Sequence, residues 1–278
     1  DGNIIGDLLS LGTITIIRPT YRLETSSPVL YETPSILLRN ITGILMQANV
    51  GDPLNLSWQW QAASQSDQDY HAQLVWISNQ GELLASTSAA PLTPGYSSSQ
   101  WQMGDIWTGH ARLYVPGSLS ADSYSVAIQL IDEDGDNISG PHIIQDMKVN
   151  EPERILQQPE FTYPSDAKWN NGIELLGYSI DTSTNAVELI WKTDKILDSS
   201  MRLFVQVFAE NNLLAVSDGI PVNYTRPTTS WSTSEYIITH HSFELGLSSY
   251  QLHIGWYDPL TSERVPLENG SDTLLISP

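Results

Sequence analysis

The side chains best suited to chemistry in this chain are its tryptophans, its clustered aspartates and its histidines. Trp101, Trp107 and Trp231 lie in stretches rich in Gly, Met and Ser, "SSSQWQMGDIW" and "TTSWSTSEY". An aromatic ring on a loop offers a stacking surface for a sugar, so these three are the candidate ligand-binding residues. The competing role is to plug one open end of a β-sandwich. The run "LIDEDGDNISG" carries Asp132, Glu133, Asp134 and Asp136. Carboxylates at Asp132, Asp134 and Asp136 make a candidate Ca²⁺ loop, against the alternative of a solvated hairpin turn. The glycine and closing glutamate of an EF-hand are out of register. No other cofactor is indicated.

His71, His110, His142, His240, His241 and His253 show no ligand spacing, and the adjacent pair His240–His241 points to opposite faces of a strand. A structural role is expected for all six. Asn-x-Ser/Thr sequons fall at Asn40, Asn55, Asn137, Asn223 and Asn269. Asn137 and Asn269, in turns, are the best-placed candidate glycosylation sites, and Asn55, within a strand, is the poorest. No serine-hydrolase elbow, phosphate-binding loop or zinc-protease motif is present. No motif anchors a carboxylate pair for glycoside hydrolysis. No catalytic residue is therefore assigned, and the chain is read as a non-enzyme.

The elements that must position these groups are strands. Apolar and polar residues alternate in "LNLSWQWQ", where Leu54, Leu56, Trp58 and Trp60 share one face. The same period recurs at Tyr124–Leu130, Val187–Trp191 and Tyr250–Trp256. Period-two patterning marks half-buried strands of antiparallel sheets. "SNQG", "DEDGDNISG" and "ENGSD" punctuate them as turns. The expected class is all-β, with tandem Ig-like antiparallel β-sandwiches. Trp58 and Trp191 are read as core; Trp60, near a strand end, is left open between core and sugar platform.

Composition supports an extracytoplasmic location. Charged residues make up only 16% of the 278 positions, so Ser, Thr, Asn and Gln must cover the surface. Twelve basic against 32 acidic residues give a formal charge of −20. That field repels phosphate backbones and anionic lipid headgroups, which argues against nucleic acid and membrane-surface partners. Cysteine is absent, excluding disulfides and thiolate chemistry. The longest apolar runs, such as "GTITII", fall far short of the roughly 18 residues of a membrane span. The chain opens on Asp1, which reads as a piece processed from something longer.

An internal repeat organises the chain. Leu83, Leu84 and Ala85 match Leu213, Leu214 and Ala215, and Trp101 matches Trp231 at the same spacing. Small length changes pair Trp58 with Trp191, Tyr124 with Tyr250 and Asp132 with Asp258. The expected organisation is a closing strand of a preceding repeat at 1–17, then a linker or first strand at 18–39. Sandwich repeat 1 follows at 40–150, a linker at 151–165, and repeat 2 at 166–278.

The second repeat carries "LLGYSID", "VELIWKTD", "LFVQVFAENNLLAVSDG", "RPTTSW" and "SSYQLHIGWYDPLTSERVPL". In these motifs the chain resembles the β-sandwich domains that follow the membrane-embedded part of large bacterial glycosyltransferases. Those enzymes are similar to dolichyl-phosphate-mannose protein mannosyltransferases and occur notably in Chloroflexi; the domains also occur in related surface proteins. The first repeat lacks the "LLGY" opening and carries Asp122 in "SADSY". The resemblance implies a sandwich and its packing, with membrane contact only through a parent segment. The catalytic carboxylates of that family belong to the membrane part, so none maps onto this chain. The expected function is that of non-catalytic structural or interaction modules at the cell surface, assembling with other chains through sheet edges. Residues 1–17 would then complete a neighbour's sheet, and further copies of the chain are among the partners. The alternative is a carbohydrate-binding accessory domain with glycans as partners.

Overall fold

The computed structural model describes residues 28–181, 183–184, 186–210, 212–243 and 250–277. Residues 1–17, expected to form a closing strand, lie outside the described residues. The regular structure of the described chain is almost entirely strand, in two sandwiches with separate cores.

Sandwich 1 contains β1 (Tyr31–Glu32), β2 (Ile36–Thr42), β3 (Gln47–Asn49), β4 (Pro53–Ala62) and β5 (His71–Ile77). It continues with β6 (Leu83–Ser86), β7 (Ala90–Pro91), β8 (Ile106–Tyr114), β9 (Asp122–Ile131) and β10 (His142–Asn150). One sheet has the order β1-β2-β4-β8; the facing sheet has the order β3-β10-β9-β5-β6, with β7 also on β5. Pairing is antiparallel except between β3 and β10. Sandwich 2 contains β11 (Tyr163–Lys168), β12 (Ile173–Asp181), β13 (Ala186–Thr193), β14 (Arg202–Ala209) and β15 (Asn212–Gly219). Then follow β16 (Ile237–Ser242), β17 (Gln251–Tyr257), β18 (Arg264–Val265) and β19 (Leu274–Ile276). Its sheets have the orders β11-β12-β13-β16 and β15-β14-β17-β18, with β19 also on β17. The two orders repeat those of sandwich 1, so the internal repeat is structural.

Two boundaries move. The proposed start of repeat 1 at residue 40 cuts through β2, and Ile36 and Leu38 are fully buried core residues. Of the segment 18–39, expected to be a linker or first strand, the described part from residue 28 holds β1 and the start of β2. Likewise β11 begins at Tyr163, before the expected start at 166, which shortens the linker.

The register also corrects one pairing of the repeat. Leu38 lies opposite Trp60, and a bulge follows immediately in β2. Leu175 lies opposite Trp191, again with a bulge immediately after it in β12. Trp60 is thus the counterpart of Trp191, and Trp58 takes the place of Leu189. Alternation puts Trp58 and Trp60 on the same inward face, so the pattern alone could not tell them apart. The bulge fixes the register. Both rings are buried, which resolves Trp60 as core. The other pairings hold. Tyr124 and Tyr250 each stand two residues before an inward β9 or β17 residue, Val126 or Leu252, that faces Trp76 or Val207. Leu83 and Leu213 each return after a one-residue bulge.

The same loop device recurs at one end of each sandwich. Trp101 and Trp231 each follow a single 3-10 turn, Ser98–Gln100 and Thr228–Ser230. The Ser98 hydroxyl accepts the Tyr70 amide at 2.7 Å, and the Thr228 hydroxyl accepts the Met201 amide at 2.9 Å. Thr228 also donates to the Ser199 carbonyl at 2.8 Å. Thr228→Val keeps the shape but strands the partly buried Met201 amide and the Ser199 carbonyl, so stability should fall by about 1–3 kcal/mol. A urea midpoint lowered at constant m-value is the expected reading, and an unchanged midpoint would contradict it.

Candidate functional site: the junction between the sandwiches and its cleft

The two sandwiches meet through loops that have no room for larger side chains. Gly51, in the turn between β3 and β4, has φ +80°, and a Cβ there would lie 2.6 Å from the Ser230 amide nitrogen. Gly117, in the loop between β8 and β9, would place a Cβ 2.5 Å from the Trp231 carbonyl oxygen. Glycine is required at both, at Gly51 also for its positive φ. Across this contact the buried Thr229 hydroxyl donates to the Gly51 carbonyl at 2.9 Å.

A charged cluster closes the junction. The Glu235 side chain is fully buried and accepts Arg154 Nη1 and Arg226 Nη2 at 2.8 Å each, and the Ser232 amide at 2.6 Å. Arg154 comes from the linker, and its Nη2 donates to the Gly117 carbonyl of sandwich 1 at 2.7 Å. One guanidinium therefore spans both sandwiches. Sequence reasoning passed over all three residues, because the linker composition around Arg154 looks solvated. The available signal was the scarcity of cations: the chain has 12 Lys+Arg in all, and a basic residue inside a Pro- and Gln-rich linker was worth asking about.

Beside the junction lies a cleft of about 460 Å³. One wall is the Ser86–Pro91 segment with Arg112 and Tyr114 from the end of β8; the other is Ile196–Ser199 of sandwich 2, with Thr229. The Ser88 hydroxyl bridges the walls to Asp198 Oδ2 at 2.9 Å. The Arg112 guanidinium carbon sits 5.6 Å from the centre of the Tyr114 ring.

The expected sites take different places. Trp101 and Trp231 are 1% and 0% exposed, so neither presents a ring face to a ligand; both plug the ends of their cores. Trp231 packs edge-on against Trp256 at 5.7 Å and donates its Nε1–H to the Arg226 carbonyl. Trp107 lies not in a loop but in β8, opposite Trp60, half-buried against Tyr96 at 4.7 Å. These three do not form one surface. In the acidic turn, Asp132 Oδ1 accepts the Asp134 and Asp136 amides at 3.1 and 2.8 Å. That carboxylate builds the turn, and the described residues contain no group of three or more potential metal ligands. Asn137 and Asn269 are exposed in turns, and Asn269 Oδ1 accepts the Ser271 amide at 2.9 Å. Asn55 is exposed as well, on the outward face of β4, so its strand position does not hide it.

His241 is the most perturbed of the histidines. Burial, and next the neighbouring His240, push it down to about 4. Trp191 Nε1–H donates to Thr239 Oγ1 at 2.9 Å, and the His241 ring bridges the Thr239 hydroxyl (Nε2, 3.0 Å) and the Ser217 hydroxyl (Nδ1, 2.9 Å). The network links β15 to β16, the edge strands on one side of sandwich 2, across its two sheets.

Fold and junction together define an all-β protein of two tandem antiparallel sandwiches joined through adjoining loops. No protein-family profile and no curated protein matches the chain. Among solved structures it is similar to a Niemann-Pick type C2 protein from Japanese carpenter ant, at 11% identity and a TM-score of 0.29. That match covers 47% of this chain and 99% of that one. It is similar to red sea bream transglutaminase at 10% identity and a TM-score of 0.20, covering 88% of this chain but only 31% of that one. A DUF4785 family protein from Legionella pneumophila matches at 12% identity and a TM-score of 0.24, covering 83% of this chain and 54% of that one. At these scores none of the three carries a functional assignment.

Proposed function

We propose that the chain is a non-catalytic, extracytoplasmic pair of sandwich modules that acts as a stiff structural or interaction element at a cell surface. The observation that carries this reading is the junction. Arg154 ties the Gly117 loop of sandwich 1 to Glu235 of sandwich 2, while Thr229 bonds Gly51 across the same contact. Glycine-close backbones and a buried charge cluster leave little freedom for hinge motion. The low charged fraction fits such a location, as does the resemblance to domains appended to bacterial membrane glycosyltransferases, and the absence of cysteine does not exclude it.

Sheet edges supply the means of assembly. Leu83 and Leu84 on β6, and Leu213 and Leu214 on β15, are about half exposed on edge strands in both sandwiches. No charge or proline interrupts Asn212–Ser217, and charge or proline is how edge strands are normally protected from pairing. The test is one of orientation: residual dipolar couplings from the two sandwiches should fit a single alignment tensor. Two independent tensors would reject the reading.

A further inference from the structure

We propose that the cleft between the sandwiches binds a neutral saccharide. Domain junctions are common places for small-ligand sites, and about 460 Å³ is within the range such sites occupy. The fold leaves polar groups on both walls with unused hydrogen-bonding capacity. Arg112 is exposed and makes no hydrogen bond or ion pair to another described residue; its contact is with the Tyr114 ring. Across the cleft, Asp198 is held by the hydroxyls of Ser88 at 2.9 Å and Ser199 at 3.4 Å. A carboxylate has about four lone-pair sites, so two such bonds leave it able to accept more.

A planar donor fork on one wall and an acceptor on the other match vicinal hydroxyls, each of which both donates and accepts. Tyr114 and the half-exposed Ile196 add apolar surface for the carbon face of a sugar ring. Other ligand classes fit less well. An anion would meet Asp198 and a chain of net charge −20. A cation would meet Arg112, and a lipid would need walls without this ring of hydroxyls.

The experiment is titration of the full chain, by calorimetry and saturation-transfer NMR, with neutral gluco-, manno- and galacto-oligosaccharides beside matched uronate-containing ones. At least one neutral member is expected to bind with a Kd of about 1 mM or tighter. Arg112→Ala and Asp198→Ala, both at exposed positions, are each expected to weaken it about tenfold or more, with unchanged melting. Three results would overturn the proposal. They are no neutral member binding, binding confined to the uronates, or binding that survives both substitutions yet is lost in Trp107→Phe. None of these touches the alignment-tensor result, so failure here is distinct from failure of the stiff-module reading.

Discussion

Glu235→Ala is expected to lower stability by about 3–5 kcal/mol and to loosen the two sandwiches from each other. The wild-type carboxylate is the shared acceptor for two arginines whose side chains are only 13% and 10% exposed. Forming such a buried cluster contributes little net stability, because both partners lose water. Removing one partner is different: it leaves the others desolvated and unpaired. Here two guanidiniums and the Ser232 amide would lose a shared acceptor together, although Arg154 would keep Glu151 at 3.2 Å. Glu235→Gln keeps size and one acceptor, so it should cost less. Equal effects of both substitutions would show that charge pairing, and not packing, dominates. By contrast, the exposed Ser88–Asp198 contact across the cleft should contribute little.

Acid is expected to weaken sandwich 2 through His241. The sign follows from where protons bind. In the folded chain His241 is pushed down to about 4, from an ordinary value of 6.5. Between these values the unfolded chain binds the proton and the folded chain does not, so stability falls as pH drops through that window. Above pH 6.5 the loss is absent; below about 4 it is complete. A shift of that size corresponds to roughly 3 kcal/mol. Carboxylates titrate nearby in pH, so the informative quantity is a difference. Urea unfolding followed across this window should show a clearly smaller loss for His241→Gln than for the wild type. An identical pH slope in both would assign the acid sensitivity elsewhere.

What could be read from the sequence was whatever repeats with period two or recurs between the copies. The all-β class, the inward faces of β4, β9, β13 and β17, and the match of Trp101 with Trp231 all follow from such signals. Position along a strand did not follow. The bulges after Leu38 and Leu175 shift the register by one residue without changing the alternation, so Trp58 was matched where Trp60 belongs. The loop tryptophans were open between two roles for a related reason. A tryptophan beside Gly and Ser can stack on a ligand or plug the sandwich, and burial of Trp101 after its 3-10 turn decides for the plug. The junction was invisible because its parts are far apart in sequence. Gly51, Gly117, Arg154, Thr229 and Glu235 each look ordinary alone, and only the tertiary contact gives them a common purpose.

The central claim is that these contacts fix one sandwich relative to the other. The chain has no cysteine, so spin labels can be placed at will. Labels at Ser66→Cys in sandwich 1 and Asn269→Cys in sandwich 2, read by pulsed electron–electron resonance, measure the distance between the modules directly. A single narrow distance distribution that broadens in Glu235→Ala is the predicted result. A broad distribution in the otherwise unmodified chain would contradict the account.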